Sequence, residues 1–176
     1  MRVRALNPCY LILNPDTMNQ KALYPGTFDP VTYGHLDVIE RASGIYDQVL
    51  IGVAHSKGKK PLFSVKERVL LLQKITAHLK NVEVGDFRGL VVDYAKKKKA
   101  RVILRGLRMF SDFEFEFQMA LTNRKLAQTI ETIFMMTNEN YAYLSSKLIK
   151  ETVAMGADVK SFVPPIVAKK LKEKLK

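Results

Sequence analysis

The sequence predicts an α/β domain of Rossmann-like type: a five-stranded parallel sheet with helices on both faces. Three observations predict it. Apolar β-rich runs alternate with segments of helical spacing, those segments carry helical start signals, and the unit recurs five times. Strands buried on both faces and separated by helices imply right-handed crossovers and a sheet with both sides covered. In such sheets ligands bind at the carboxyl ends of the strands. A chain of 176 residues, 47% of them hydrophobic, is the size of one domain with a sizeable core.

The elements follow in order. Residues 1–17 contain Pro8 and Pro15 and no periodicity, so they read as an appended N-terminal segment, with Met18 as the functional start and 18–176 as one domain. Strands are expected at 22–24, 49–54, 82–87, 102–104 and 130–136. Helices are expected at 34–45, 65–79, 90–98, 112–126, 146–155 and 165–174. Two helix starts carry Ser-x-x-Glu, Ser64 to Glu67 and Ser111 to Glu114, where serine and glutamate can satisfy each other's orphan backbone donors. The stretch Phe113-Glu114-Phe115-Glu116-Phe117 alternates with period two, but it runs on without a breaker through Leu126 and reads as a helix apolar on two faces. Such a helix is either buried on both sides in the core or part of a subunit interface. The loops at 25–35, 55–63, 105–111 and 137–145 each follow a strand and should converge on one site.

Composition narrows the function. The longest apolar runs fall far short of the roughly 18 residues that span a bilayer. The N-terminus is a poor signal peptide, and one cysteine excludes an intramolecular disulfide framework, which fits a cytoplasmic setting. Three dispersed histidines suggest no metal cluster. The formal net charge is +12, but Lys96 to Lys99 supply +4, and 169–176 supply another +4 from five lysines and one glutamate. Lysines at helix ends favour the helix dipole and solvent over a nucleic-acid stripe, and no basic recognition helix or aromatic RNA platform is present. The charge fits an anionic small molecule better than specific nucleic-acid binding.

The sharpest local signal is Tyr24-Pro25-Gly26-Thr27-Phe28-Asp29-Pro30-Val31-Thr32-Tyr33-Gly34-His35, which runs from the first strand into the first helix. Gly26 allows close backbone approach, Thr27 offers a hydroxyl and an amide, and His35 sits at a helix N-terminus that favours anions. The segment outlines a phosphate site; on its own it would also serve as a Pro/Gly-rich turn with a capping histidine. The Gly-x-Gly-x-x-Gly and Walker fingerprints are absent.

The same string resembles the HxGH class of nucleotidyltransferases in a Thr-x-Gly-His form, with Thr32 at the first histidine position. Its fuller form is similar to the bacterial phosphopantetheine adenylyltransferase family. Lys59-Lys60-Pro61-Leu62-Phe63, Arg105-Gly106-Leu107-Arg108 followed by Ser111-Asp112-Phe113-Glu114, and Tyr141 to Glu151 continue the likeness in order over about 20–170. The resemblance implies adenylyl transfer from ATP to 4'-phosphopantetheine, with Mg2+ accompanying ATP and no dedicated protein ligands for it, in a homohexamer. It implies that His35 stabilises the transition state with Thr27 aligning the phosphates, and that Lys59 and Arg105 hold the acceptor phosphate. Val91 would line the pantetheine arm. Nucleotide contacts would come from Phe28, Gly106, Leu107, Arg108, Glu116, Tyr141, Ala142, Tyr143, Leu144, Ser145, Ser146 and Lys147.

Two positions depart from the family pattern. Relatives usually carry a third serine where Lys147 stands; its ammonium can reach the β- or γ-phosphate or point to solvent and leave the site weaker, and the first is favoured. Tyr33 stands where asparagine is usual, a change that is harmless if the side chain faces away from the phosphates and that the sequence does not decide. The alternatives within the superfamily are a nicotinate mononucleotide adenylyltransferase or a cytidylyltransferase, against which the Lys59-Lys60-Pro61 loop and the 105–116 segment weigh. From another class, a basic nucleic-acid binding protein rests on the charge alone.

Overall fold

The structure, a computed structural model, describes residues 20–55 and 61–175. The N-terminal segment 1–17, the start at Met18 and Lys59 lie outside the described residues. The chain runs β1 (Lys21–Gly26), α1 (Tyr33–Ser43), β2 (Gln48–Ala54), α2 (Val65–Ile75), β3 (Val82–Phe87), α3 (Val91–Lys97), β4 (Val102–Leu107), α4 (Phe110–Leu126), β5 (Glu131–Met136), a 3-10 turn (Glu139–Tyr141), α5 (Ser146–Ala154) and α6 (Pro165–Leu175). The strands form one parallel sheet in the order β3-β2-β1-β4-β5. Chain order reverses between β1 and β4, so the loops leaving these two neighbours diverge to opposite faces and open a crevice between them.

The apolar runs go where their composition sends them. Ala22, Leu23, Val49, Ile51, Val53, Ile103 and Leu104 are wholly buried, and two apolar clusters fill the two faces of the sheet. One cluster lies under α1, α2, α5 and α6 and is much the larger; the other, under α3, centres on Leu23, Val92, Ala95 and Ile103. Strands β1 and β4 outrun their apolar cores by two or three residues. β1 stays paired to β2 as far as Gly26–Val53, and β4 to β5 as far as Leu107–Met136. Pairing with a neighbouring strand, β2 for Pro25 and Gly26 and β5 for Gly106, overrides their weak strand propensity.

Of the two Ser-x-x-Glu signals, the first forms: the Ser64 hydroxyl accepts from the Glu67 amide, and the Glu67 carboxylate accepts from the Ser64 amide at 2.7 Å. The second does not. Because β4 continues to Leu107, only Arg108 and Met109 separate it from α4, which starts at Phe110 with no side-chain cap and leaves Ser111 inside the helix.

The expectation that α4 is buried on both sides also needs correction for the single chain. Its buried residues are Glu116 and Asn123, whereas Phe110 is 93% exposed and Phe113, Phe115, Phe117 and Leu121 are exposed as well. Residues two apart lie on nearly opposite sides of a helix, so only one side of the Phe-Glu alternation can meet the sheet. Phe110, Phe113 and Phe117 stack in a row along the helix.

Candidate active site

A cavity of about 770 Å³ opens at the carboxyl ends of β1 and β4, where the fold puts its crevice. Three of the four loops expected to converge there do so over part of their length, through 25–29, through Arg105, Gly106 and Arg108, and through Thr137, Leu144 and Ser145, and the fourth contributes Pro61. Helix α5 closes the cavity with Ser146, Lys147 and Lys150.

The β1–α1 wall is built locally. Gly26 has no alternative, because a Cβ there would lie 2.8 Å from the ring of Phe28, which folds back under the strand end. Phe28 adopts a positive φ of 51°, a conformation that a bulky residue takes only when its surroundings hold it there. Gly34 lets the start of α1 sit against Thr137 and Tyr141. Thr32 is the N-cap of α1, and its hydroxyl accepts from the His35 amide. The Thr32 amide donates to His35 Nδ1 at 3.0 Å, which makes a capping box with histidine in the role usually taken by Glu or Gln.

That bond fixes the chemistry of the ring. A backbone N–H can only donate, so Nδ1 is the acceptor and the ring proton resides on Nε2. Burial, together with the charges of Arg108 and Arg105, lowers the His35 pKa from 6.5 to about 4. At neutral pH the side chain is therefore an uncharged imidazole with one N–H beyond the capping box. The capping role is held by the Nδ1 side of the ring, which leaves the Nε2 side free of it.

The β4–α4 wall is built from cations held by carboxylates. Arg105 gives Nε and Nη2 to the two oxygens of Glu116 at 2.7 and 2.5 Å, and Nη1 to the Pro25 carbonyl at 2.8 Å. Arg108 forks onto Asp112 and sends Nη1 to the Leu144 carbonyl. On α5, Lys150 meets Asp29 at 2.7 Å. Asp29, nearly buried, also accepts from the amides of Leu62 and Phe63, and so ties the phosphate-loop segment to the stretch before α2.

The remaining candidates divide. Thr27, Phe28, Gly106, Leu144, Ser145, Ser146 and Lys147 line the cavity with His35, Arg105, Arg108 and Glu116. The Ser145 hydroxyl caps α5 through Leu148 N–H, and the Ser146 hydroxyl donates to the Pro30 carbonyl. Lys147 stands at the rim, its side chain 86% exposed and 3.9 Å from Glu151. Leu107, Val91, Tyr141, Ala142 and Tyr143 are not among the lining residues. Val91 begins α3 and packs against the smaller apolar cluster. Tyr33 stacks on Tyr141 and is not a lining residue either.

Sequence reasoning left out Asp29, Arg68, Asp112, Thr137 and Lys150. Asp112 lies four residues after Arg108, but Arg108 precedes both the expected and the observed helix start, so the pair carried no helical signature. Arg68 was legible only as a charge among the apolar residues of α2; the partners of the other three lie far off in sequence.

The sequence profile of the cytidylyltransferase-like family matches residues 23–152. Two relatives are phosphopantetheine adenylyltransferases. That of Caldanaerobacter subterraneus subsp. tengcongensis is 54% identical over 155 residues, covering 88% of this chain and 97% of its own length. That of Alkaliphilus metalliredigens is 51% identical over 152 residues, covering 86% and 97%. Among solved structures, a Vibrio parahaemolyticus protein described as a nicotinate-nucleotide adenylyltransferase superposes with a TM-score of 0.65 at 21% identity, over 88% of this chain and 99% of that one. A lipopolysaccharide core biosynthesis protein from Thermoplasma volcanium gives 0.52 at 20% identity, over 68% and 98%. At these identities the structural likeness is one of fold.

Proposed function

This chain belongs to the cytidylyltransferase-like family and, within it, to the phosphopantetheine adenylyltransferases, and from that premise we infer that it transfers AMP from ATP to the phosphate of 4'-phosphopantetheine. An acceptor phosphate oxygen attacks the α-phosphorus, the bond from that phosphorus to the bridging oxygen breaks, and dephospho-coenzyme A and pyrophosphate leave. The attacking group is already an anion, so the site needs alignment and charge stabilisation, not a base.

The observation that carries the mechanism is the state of His35. A neutral imidazole with its proton on Nε2 is a fixed donor that neither titrates near neutrality nor takes a proton from the acceptor. It donates to an α-phosphate oxygen as negative charge builds there. Thr27 lies across the loop to align the phosphates, and Arg105 with Lys59 holds the acceptor phosphate, Val91 lining the arm beyond. Gly106, Arg108 and 144–147, which line the cavity, take the nucleotide, with Glu116 holding Arg105 in place. The α5 start offers its amides and the Ser145 O–H, since Ser145 Oγ accepts from Leu148 N–H and keeps its own proton, whereas the Ser146 O–H is spent on the Pro30 carbonyl.

Magnesium enters with ATP in this reading. Among the described residues no group of three or more His, Cys, Asp or Glu side chains stands together to hold an ion, and the Asp29 carboxylate is engaged by two amides and Lys150. The ion would come with the phosphate oxygens of ATP and would offset their charge. No described helix is long and apolar enough to cross a membrane. We place the enzyme in the cytoplasm, where its one cysteine fits, and read the exposed phenylalanine row of α4 as a surface for homohexamer assembly, to be measured by light scattering.

A substrate panel tests the function. Pyrophosphate release should require ATP and 4'-phosphopantetheine together. Preference for CTP, or for nicotinate mononucleotide as acceptor, would transfer the assignment to another branch of the superfamily. Salt-sensitive retardation of nucleic acid with no turnover would remove it from the enzymes.

A further inference from the structure

Arg68 is a charge buried away from the cavity's lining. It lies on α2 between Glu67 and Val69 and is 1% exposed, among the largest fully buried side chains of the described residues. A buried guanidinium is costly unless its donors are satisfied and its charge has a use. No carboxylate forms an ion pair with it among the described residues, although the Asp29 charge acts on it from a distance. Its donors go instead to backbone carbonyls: Nε to Phe63 at 3.1 Å, and Nη1 to Thr27 at 2.5 Å and Ala54 at 3.2 Å. Nη2 is buried with no partner. The three carbonyls belong to the loop after β1, the end of β2 and the stretch before α2, three segments that converge beside the cavity.

The bond to Thr27 has a consequence on the other side of the same peptide unit. The Thr27–Phe28 bond is trans and planar, so its C=O and N–H point in opposite directions. With the carbonyl drawn inward to Arg68, the Phe28 N–H is turned outward to the cavity that Thr27 and Phe28 line. Phe28, whose N–H this is, holds a positive φ of 51°. We propose that Arg68 is a positioning residue for the transfer reaction: it holds the Thr27–Phe28 peptide so that the Phe28 amide stands as a preorganised hydrogen-bond donor to a phosphate oxygen. The cation behind the peptide also polarises it, which makes that N–H a better donor to an anion. The proposal rests on the adenylyltransfer reading and adds a residue to it.

Arg68→Lys keeps a buried cation but cannot bind three divergent carbonyls in a fork. It should lower kcat on the order of 10- to 100-fold, the scale of misplacing one oxyanion donor, with KM for ATP changed less than about threefold. In protein labelled with 15N-phenylalanine, ATP should move the Phe28 amide proton downfield in the parent and leave it nearly unmoved in Arg68→Lys. A variant that loses thermal stability but keeps kcat overturns the proposal, as does one whose Phe28 amide still responds like the parent's. If the variant does not fold, the parent decides: an amide that ignores saturating ATP overturns the proposal, and a downfield shift supports it. Parent turnover with ATP and 4'-phosphopantetheine is measured alongside. Its absence would sink the adenylyltransfer reading itself, whereas turnover with a silent Phe28 amide sinks only the role of Arg68.

Discussion

The two walls of the cavity solve the same problem, presenting positive character to phosphates, by different means. The β1–α1 wall uses neutral donors whose geometry is set within a few residues: Thr32 and His35 orient each other across one helical turn. The β4–α4 wall uses full charges, each restrained by a carboxylate, Arg105 by Glu116 and Arg108 by Asp112. A neutral donor can be held rigidly without desolvating a charge, which suits a group that must meet the transition state at one point. A paired guanidinium keeps net local charge low until a phosphate arrives, and its remaining lone donors and field favour binding. The first wall should therefore govern rate and the second affinity.

Replacing His35 by alanine tests the first half of that division and should give the largest effect. Turnover in pyrophosphate release is expected to fall about 100-fold or more, the cost of one preorganised donor, with substrate affinities little changed. Near-normal turnover would take His35 out of the mechanism.

On the opposite wall, Arg105→Ala should raise KM for 4'-phosphopantetheine about 10- to 100-fold, the range for a lost hydrogen bond to a charged group, and alter ATP affinity less. Glu116→Gln should act through Arg105. The double variant is then expected to be less impaired than the two single effects added, by an interaction of about 0.5 kcal/mol or more. Strict additivity would show that Glu116 meets the nucleotide on its own account, as the family resemblance alone implies.

The walls also differ in what the sequence discloses. The 24–35 string could be read because its contacts are local: the phosphate-loop glycine, the cap and the histidine lie within ten residues of one another. Thr32 and His35 could even be read as a cap, though not which ring nitrogen the cap would use. Arg105 and Arg108 could be placed in the site by resemblance, but their carboxylates required the helix phase of α4, and Arg108's bond to Leu144 spans 36 residues. Arg68 was illegible for the same reason: its carbonyl partners lie on separate segments and have no side-chain signature. The strand order was legible only as far as parallel β-α alternation, since the reversal between β1 and β4 is a tertiary fact. The Ser111 capping signal failed because the pairing of β4 with β5 consumed the residues a cap would have needed.

Acid should separate the walls further. With its pKa lowered to about 4, His35 is neutral in the folded protein, while the unfolded chain takes up a proton below about 6.5. Its contribution to stability is thus present above pH 6.5 and is lost as pH falls from there towards 4. Ring-proton NMR should show no titration of His35 between pH 5 and 8. Thermal unfolding of the parent should decline between pH 6.5 and 4.5 more steeply than that of His35→Ala. A His35 ring that titrates near 6.5 would make it a charged donor and erase the contrast between the walls.

The smallest effect is expected at Lys147, where the sequence departs from the family and where an ammonium contact to the β- or γ-phosphate was the expectation. The side chain is 86% exposed at the cavity rim, and its nearest carboxylate, Glu151, is 3.9 Å away. A cation in that position keeps its hydration, and its attraction to a triphosphate acts through water, where exposed pairs are worth about 0–1 kcal/mol. Serine at the same position would restore a short hydroxyl inside the first turn of α5, but Ser145 already caps that helix through Leu148, so little capping energy remains to be gained. Lys147→Ser should therefore weaken ATP binding by less than about fivefold at low salt, and by still less at moderate salt, because screening removes most of an exposed charge's contribution. Titrating ATP against parent and variant at both salt concentrations decides it. A loss of tenfold or more that persists in salt would mean that the lysine folds inward onto the phosphates when ATP binds, and would give the charged wall a third cation with direct contact; tighter binding by the serine variant at both concentrations would leave the lysine no part in holding ATP.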